Sequence, residues 1–342
     1  MSLVSNSPIF GNLLETASLS FLDDARVLIC GGTGLVGGYL TATFARGCAH
    51  QGIKLHQPIT VTGGRNDHYL QKLVSEGLVE IVPLEILLDR KFSKEFTHTF
   101  HAASPASPNN YSNGEVLNYL NIKILPRLIE LTSKLFLFFS TGEVYGTTAP
   151  FGVDEEFHGP LTESESRLPY PLAKVTGEQI LREMAHFSDF PIKVARLFHT
   201  FGPGISERDP RTFSSFLYQG HNEGQIILRS SGDQIRSFLH LADAVRGVIT
   251  LSSQSKEEVF DITNIGSTLP TSIKEFASLV AILTESKINF DSRTEFELSP
   301  NEVMVPNTNR LRTLGWEQSI SLSESINDTL AWLRLPKRGR DF

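Results

Sequence analysis

Short apolar runs rich in β-branched residues alternate along this chain with longer segments whose apolar residues recur at helical spacing. The short runs predict buried parallel strands, at 25–30, 59–62, 79–82, 97–101, 135–140 and 192–196. The longer segments predict helices, at 35–46, 115–133 and 171–186. Because strands and helices alternate, the chain is expected to form an α/β fold, a doubly wound parallel sheet with right-handed crossovers.

The regular alternation weakens after residue 204, where loops and short elements continue to about residue 332. A length of 342 residues favours about two domains. We therefore expect a smaller C-terminal domain beside the main sheet, and a frayed tail from Pro336 onward.

Composition excludes several classes of protein. Hydrophobic residues make up 40% and charged residues 20%, which is typical of a globular chain rather than a disordered one. The net charge of −7 argues against nucleic-acid binding, and two cysteines are too few for a disulfide framework or a Cys-rich zinc site. The longest apolar run, at 134–139, is too short to cross a membrane, and no signal peptide stands out. We expect a cytoplasmic protein with no metal, membrane or nucleic-acid partner.

A glycine-rich segment, Gly31 to Gly37, directly follows the first predicted strand and opens the first predicted helix. Its glycines let the backbone turn sharply and approach a pyrophosphate, which the free N–H groups at the helix start would bind. This placement predicts a dinucleotide site built by Gly31, Gly34, Leu35, Val36 and Gly37.

The choice between NAD and NADP stays open at this level. A dinucleotide site usually has an acidic residue at the end of the second strand, to hold the adenosine ribose. Here no carboxylate follows Thr62 at once, and Arg65 is nearby. An arginine there would accept a 2′-phosphate or stack on adenine, or lie in solvent as a loop cation.

Tyr170 and Lys174 are four residues apart, on one face of a predicted helix. A free tyrosine has a pKa near 10, but an adjacent ammonium group and a positive nicotinamide would favour its phenolate. Tyr170 is therefore a candidate general base that removes a hydroxyl proton while hydride leaves the same carbon.

Thr141 and Glu143 follow the apolar strand at 135–140, where open α/β sheets bind their ligands. The threonine hydroxyl suits a hydrogen bond to a substrate hydroxyl, and the glutamate supplies a second acid or base opposite Tyr170. With Tyr170 and Lys174 they form the predicted catalytic group.

Together these motifs resemble the extended short-chain dehydrogenase/reductases, specifically the NAD-dependent sugar-nucleotide epimerases and dehydratases. The similarity extends from about residue 24 to 333 and includes the segments 101–104, 196–203, 236–243 and 314–316. It implies a Rossmann domain, 22–198 plus 238–264, and a discontinuous substrate domain, 199–237 plus 265–334.

The same resemblance implies further site residues. Ala102 would contact the cofactor together with Lys174, and Ser104 and His199 would contact the substrate. Arg236 would face the diphosphate of a nucleoside diphosphate sugar, for which a UDP sugar is expected. Arg211 would contact the nucleotide or the sugar of the same ligand. A homodimer is also implied, paired through the predicted helices at about 115–133 and 171–187.

Within this family, Ala103 to Pro108 and the Thr-x-Glu pattern at Thr141 and Glu143 are similar to the UDP-glucuronate decarboxylase branch. The 4,6-dehydratases usually carry Asp-Glu where this chain has Gly142 and Glu143, and simple C4 epimerases generally lack the glutamate. Two features depart from the decarboxylase pattern. His199 stands where asparagine is usual, and 306–312 does not register on the region that supplies a carboxylate-binding arginine, although it contains Arg310 and Arg312.

Decarboxylation of UDP-glucuronate through a 4-keto intermediate is thus the favoured reaction, with epimerisation or 4,6-dehydration as alternatives. Two other classes remain open: a net oxidoreductase that releases a keto product, and a non-catalytic NAD(P)-binding regulatory protein. The presence of both Tyr170 and Lys174 argues against the regulatory class.

Overall fold

The computed structural model describes residues 7–63, 68–106, 111, 113–161, 167–207, 209–254, 258–291 and 303–335. Its helices are α1 (Pro8–Thr16), α2 (Leu35–Gln51), α3 (His68–Ser75), α4 (Leu84–Leu88), α5 (Gly114–Asn118), α6 (Leu125–Glu130), α7 (Pro169–Ala185), α8 (Thr212–Glu223), α9 (Leu241–Ser252), α10 (Ile273–Thr284), α11 (Asn309–Thr313) and α12 (Leu322–Leu333). Its strands are β1 (Val27–Cys30), β2 (Ile59–Thr62), β3 (Val79–Ile81), β4 (Phe96–His101), β5 (Thr132–Thr141), β6 (Ile192–Leu197), β7 (His199–Phe201), β8 (Gln225–Leu228), β9 (Ile235–Arg236), β10 (Phe238–His240), β11 (Phe260–Ile265), β12 (Thr271–Ser272), β13 (Lys287–Phe290) and β14 (Val303–Met304).

The main sheet has seven parallel strands in the order β3-β2-β1-β4-β5-β6-β11. This confirms the predicted doubly wound α/β fold, with β11 added at the edge beyond the six predicted strands. The chain leaves β1 on one side for β2 and later returns on the other side as β4. Such a reversal opens a crevice at the carboxyl ends of the strands, where ligands bind in sheets of this kind.

Side chains of the central strands alternate between two apolar cores. In β1, Val27 and Ile29 face the core that contains α2 and α9, whereas Leu28 and Cys30 face the core that contains α6 and α7. The apolar residues of β5 alternate in the same way. A strand buried on both faces has no polar side to alternate with, which explains the continuous apolar runs in the sequence.

The helix predicted at 115–133 is interrupted. A π-helical turn, Tyr119–Lys123, separates α5 from α6, which ends at Glu130, and β5 already begins at Thr132. His101 Nε2 lies 2.7 Å from the Leu120 carbonyl within this turn. Burial lowers the pKa of His101 to about 3, so the ring is neutral and donates its Nε2–H to this carbonyl.

Helix α1 was not predicted from the sequence pattern. Ser7 caps it, and the Ser7 hydroxyl donates a 2.7 Å hydrogen bond to Asp328 on α12. His240 Nε2 lies 3.1 Å from the same carboxylate. The hydrogen bond between Ser7 and Asp328 thus links the segment before β1 to the C-terminal helix α12.

Among its described residues, the C-terminal part contains three small sheets, β7 with β10, β8 with β13, and β9 between β12 and β14. Helices α8, α10 and α12 pack against these sheets around the rings of Phe201, Phe238 and Phe276. One apolar core runs without a break from β1 to α12, so the division into two domains at the stated boundaries stays a prediction. Among the described helices none has the length and apolarity needed to cross a membrane, and the cytoplasmic location also stays a prediction.

Candidate active site

At two positions of the glycine loop after β1, close contacts leave no space for a side chain. Gly31 has a φ of +79°, and a Cβ on it would lie 2.5 Å from the backbone nitrogen of Ala103. A Cβ on Gly37 would lie 2.3 Å from the carbonyl oxygen of Gly31. Glycine is therefore required at both positions for the loop to fold against itself and against the end of β4.

Helix α2 begins at Leu35 with Gly34 as its N-cap, and no side chain caps it. The amides of its first turn have no partner within the helix, and the N-terminus carries a partial positive charge. A Cβ on Gly34 would meet only the Gly31 carbonyl oxygen, at 3.2 Å, with open space elsewhere. Amides that face open space at a helix start are suited to bind the pyrophosphate of a dinucleotide, and this role of the loop stays a prediction. Arg65, the candidate for the 2′-phosphate, lies outside the described residues.

Lys174 is buried on α7 and donates a 2.6 Å hydrogen bond to the carbonyl oxygen of Phe139. Its ammonium group also lies 4.5 Å from the centre of the Phe138 ring. Burial lowers the pKa of Lys174 to about 7, while the charge of Glu178 acts in the opposite direction. The lysine is thus held at the carboxyl end of β5, next to the predicted catalytic group.

Tyr170 is buried and stacks on Tyr111, with ring centres 4.3 Å apart and planes 7° from parallel. Burial and then the charge of Glu143 raise its pKa, while a hydrogen bond with Thr141 and the charge of Arg211 oppose this. Tyr170 is consequently a neutral phenol in the protein alone. The expected phenolate requires more positive charge than the described side chains supply.

Glu143 is held by three neighbours at the end of β5. The Tyr111 hydroxyl donates to Oε1 at 2.8 Å, and Arg167 Nη2 lies 3.5 Å from Oε2. The Thr141 hydroxyl accepts the Glu143 backbone N–H at 3.3 Å, which caps the short helical turn Gly142–Tyr145. Tyr111 stacks on Tyr170 and donates to Glu143, so it connects these two candidate catalytic residues.

One cavity of about 580 Å³ brings most of the predicted site residues together. Its lining includes Val36, Ala102, Ser104, Thr141, Glu143, Tyr170, Lys174, His199, Arg211 and Arg236. Gly31, Gly34, Leu35 and Gly37 are not on this lining but form the loop at its edge. Asn121 donates to the Ser104 hydroxyl at 3.2 Å, which orients this side chain.

The cavity lining is rich in arginine. Arg167, Arg211, Arg229 and Arg236 all line it, and Glu143 is the one carboxylate on the lining within the described part of the chain. Burial and then the charge of Arg167 lower the pKa of Arg236 to about 10. Such an excess of positive charge suits an anionic ligand with several charges.

His199, one of the two departures from the decarboxylase pattern, also lines the cavity. Burial, followed by the charges of Arg236 and Arg211, lowers its pKa to about 3. His199 is therefore a neutral imidazole among guanidinium groups, and it adds no charge to the site.

Glu178 and Arg167 were not singled out in the sequence, although the charge of Glu178 acts on Lys174 and Arg167 pairs with Glu143. Glu178 is buried four residues after Lys174, and it accepts hydrogen bonds from Arg196 at 2.7 and 3.1 Å and from Ser140 at 2.5 Å. Arg167 precedes Tyr170 by three residues. In each case the available signal was a charged residue at helical spacing from Tyr170.

Arg310 and Arg312 do not line the cavity. Arg310 forms ion pairs with Asp261 at 3.0 Å and Glu156 at 3.1 Å, and Arg312 lies 3.4 Å from Glu317. Both side chains are therefore bound elsewhere, as surface cations.

Comparison with known proteins gives a consistent result. A UDP-glucuronic acid decarboxylase 1 from Xenopus tropicalis is 28% identical over 324 residues, which is 92% of this chain and 74% of that protein. A protein of the same name from Danio rerio is 27% identical over 322 residues, with the same shares.

The fold is shared with solved enzymes. UDP-glucuronic acid 4-epimerase from Bacillus cereus, in complex with UDP-glucuronic acid and NAD, superposes with a TM-score of 0.75 at 19% identity. The superposition covers 90% of this chain and 99% of the epimerase. The model of the NAD dependent epimerase/dehydratase family matches residues 27–266, which is more than half of the chain. The family predicted from the motifs is confirmed, and the chain belongs to the NAD dependent epimerase/dehydratase family of enzymes.

Proposed function

We propose that this protein is a UDP-glucuronate decarboxylase that uses NAD and forms a 4-keto sugar as intermediate. The observation that carries the proposal is the cluster of Tyr170, Thr141 and Glu143 on one cavity wall, with Lys174 beside it. The relatives named UDP-glucuronic acid decarboxylase support the same reaction.

The Gly31–Gly37 loop and Lys174 would hold NAD, which supplies a hydride acceptor and donor when bound. Its positive nicotinamide would also lower the pKa of Tyr170, which burial and Glu143 raise in the protein alone. NADP is the alternative cofactor, because the residues that would distinguish the two lie outside the described part.

Tyr170 removes the proton of the C4 hydroxyl during oxidation and returns it at the end of the cycle. Thr141 keeps the C4 oxygen within reach of Tyr170. The ketone at C4 makes the C5 carboxylate a β-keto acid, so the C5–C6 bond breaks with loss of carbon dioxide and its electron pair moves to the C4 oxygen. C5 then takes up a proton on the side of Glu143, which Tyr111 holds in position.

Arg211 and Arg236 would bind the diphosphate, with Ser104 and His199 as further contacts to the UDP sugar. A diphosphate carries two charges at neutral pH, and planar guanidinium groups bind phosphate oxygens in pairs. Arg211 is already oriented by Asp209, which accepts its Nε–H at 2.9 Å.

Incubation of the NAD-loaded protein with UDP-glucuronate tests the proposal. We expect release of carbon dioxide and formation of the UDP-pentose, with no accumulation of NADH because hydride returns to the product. Formation of UDP-galacturonate without carbon dioxide would identify an epimerase, and accumulating NADH a net oxidoreductase. Absence of any conversion of UDP-glucuronate, with turnover of another nucleotide sugar, would also refute the proposal.

We further propose a homodimer formed through α5 and α7, which pack side by side. Val116, Tyr119 and Leu172 are 39%, 39% and 49% exposed on this surface. Burying such side chains favours association. Light scattering should give a dimer for the wild type and a monomer for Leu172→Glu, whereas Ile282→Glu on α10 should stay dimeric. A wild-type monomer would exclude this assembly.

A further inference from the structure

The cavity extends beyond the candidate catalytic group into the C-terminal part of the protein, where its lining becomes apolar. There it is lined by Phe213, Phe216, Ile227, Leu228 and Ile273. The guanidinium carbon of Arg211, a predicted contact of the nucleotide, is 4.7 Å from the centre of the Phe213 ring. The Gln219 side chain of α8 accepts the Ile227 N–H at 2.9 Å and holds β8 beside this helix. Aromatic and branched apolar side chains on α8 and β8 suit a planar heterocycle that leaves its polar edge uncovered.

Arg229 lies at the solvent-facing edge of this apolar end, directly after β8. Among the four arginines on the described lining it is the exposed one, whereas Arg167, Arg211 and Arg236 are half-buried. Within the described part of the chain, the Arg229 side chain forms no hydrogen bond and no ion pair. Its five N–H donors are therefore available to a molecule in the cavity.

The backbone on both sides of Arg229 is held in place. Before it, Leu228 pairs with Phe290 in the small sheet of β8 and β13. After it, the Ser230 hydroxyl accepts the Gly232 N–H at 3.3 Å, within the connection from β8 to β9. The position of Arg229 at the edge of the cavity is thus set by the fold.

Under the proposed function, the diphosphate lies at Arg236 and the sugar extends from it toward Tyr170. The nucleoside then extends to the other side of the diphosphate, where the apolar end and Arg229 lie. A guanidinium group only donates hydrogen bonds, so its partner on the base must be an acceptor. The pyrimidine edge far from the ribose carries the carbonyl oxygen O4 in uracil and an amino group in cytosine. Arg229 therefore matches uracil and meets a competing donor in cytosine.

We propose that Arg229 donates to O4 of the base and selects uracil over cytosine in the nucleotide that this protein binds. The inference deepens the proposed function and rests on it for the placement of the diphosphate. The apolar side chains of α8 and β8 contact a pyrimidine of either kind, and Arg229 distinguishes the two.

Calorimetric titration of the NAD-loaded protein with UDP and CDP tests this inference, because these two ligands differ only in the base. The wild type should bind UDP more tightly than CDP. Arg229→Met should lower the ratio of UDP affinity to CDP affinity about tenfold, the low end for a hydrogen bond to a charged group, because Arg229 is exposed. Arg312→Met, at an exposed arginine outside the cavity, is the matched control and should keep the wild-type ratio.

Two further variants separate recognition of the base from general attraction of an anion. Arg229→Glu presents an acceptor to the cytosine amino group, so it should shift the ratio further toward CDP than Arg229→Met does. It also decides the question if Arg229→Met fails to fold. Arg236→Gln should weaken binding of both ligands to the same extent, because both carry the diphosphate.

Equal binding of UDP and CDP by the wild type, or binding of neither, would overturn the inference. So would an Arg229→Met variant that keeps the wild-type ratio, whether or not its affinity for both ligands falls.

The outcome can be separated from the test of the proposed function. If UDP is preferred through Arg229 but UDP-glucuronate releases no carbon dioxide, the proposed reaction is wrong while the role of Arg229 stands. If carbon dioxide is released and Arg229→Met keeps the wild-type ratio, the reaction is right and the role of Arg229 is wrong.

Discussion

Lys174 should destabilise the cofactor-free protein at neutral pH, and Lys174→Met should reveal this. Burial lowers the pKa of Lys174 to about 7, whereas lysine in an unfolded chain titrates near 10.4. Between these two values the unfolded state binds more protons than the native state, so this group makes stability rise with pH. The whole penalty is present below about pH 7 and disappears above about pH 10.4.

Linkage gives the magnitude. One proton over this window changes the free energy of unfolding by up to about 1.4 kcal/mol per pH unit, so the gain between pH 7 and 9 is about 2 kcal/mol. Methionine binds no proton, so the stability of Lys174→Met lacks this contribution. Its stability relative to the wild type should therefore fall by about 2 kcal/mol from pH 7 to 9. The Phe139 carbonyl loses its donor in the variant, but that cost does not depend on pH.

Urea unfolding of both cofactor-free proteins at pH 7, 8 and 9 measures this difference, because other titrating groups cancel between them. Lys123→Met, at an exposed lysine, is the matched control and should show a constant difference from the wild type. A difference between wild type and Lys174→Met that stays constant from pH 7 to 9 would refute the buried, neutralised lysine.

Further substitutions test the loop, the candidate base and the buried ion pair. Gly34→Leu should keep the fold and lose NAD binding in a fluorescence titration, since its side chain would extend into the open space at the start of α2. Gly37→Leu should fail to fold, because its Cβ would lie 2.3 Å from the Gly31 carbonyl oxygen. Unchanged NAD affinity in Gly34→Leu would contradict the binding of NAD at this loop. Tyr170→Phe should lower the turnover rate about 10²- to 10⁴-fold with unchanged affinity for UDP, and normal turnover would exclude Tyr170 as the base. Glu178→Gln should lower the free energy of unfolding by about 3–5 kcal/mol, because it leaves the buried Arg196 without its paired charge. Replacing both residues by methionine should recover most of this loss. Equal losses in the single and double variants would disprove an energetic coupling between Glu178 and Arg196.

The main sheet and the glycine loop could be predicted because their signals are local. A strand buried on both faces must be apolar throughout, and close backbone approach at Gly31 and Gly37 admits only glycine. Tyr170 and Lys174 could also be predicted from the sequence, since a spacing of four residues places both side chains on one face of a helix.

The rest depends on contacts between distant parts of the chain. The π-helical turn at 119–123 has no separate periodicity in the sequence. Its carbonyl at Leu120 accepts from His101, which is on β4 and distant in the sequence. The position of Arg167 beside Glu143, 24 residues earlier in the chain, is likewise set by the fold. The sequence could not show whether Arg310 contacts a ligand or forms a surface ion pair, because only the fold brings Asp261 and Glu156 to it.

Gly142 has a consequence for how this active site can change. A Cβ at this position would lie 2.8 Å from the Phe198 ring, so the residue between Thr141 and Glu143 cannot gain a side chain while that ring keeps its place. An aspartate here, which would supply a second acid, therefore requires a simultaneous change at Phe198. A switch of this enzyme toward dehydration would have to pass through two coupled substitutions, and single-site libraries at Gly142 should yield no variant with the new chemistry.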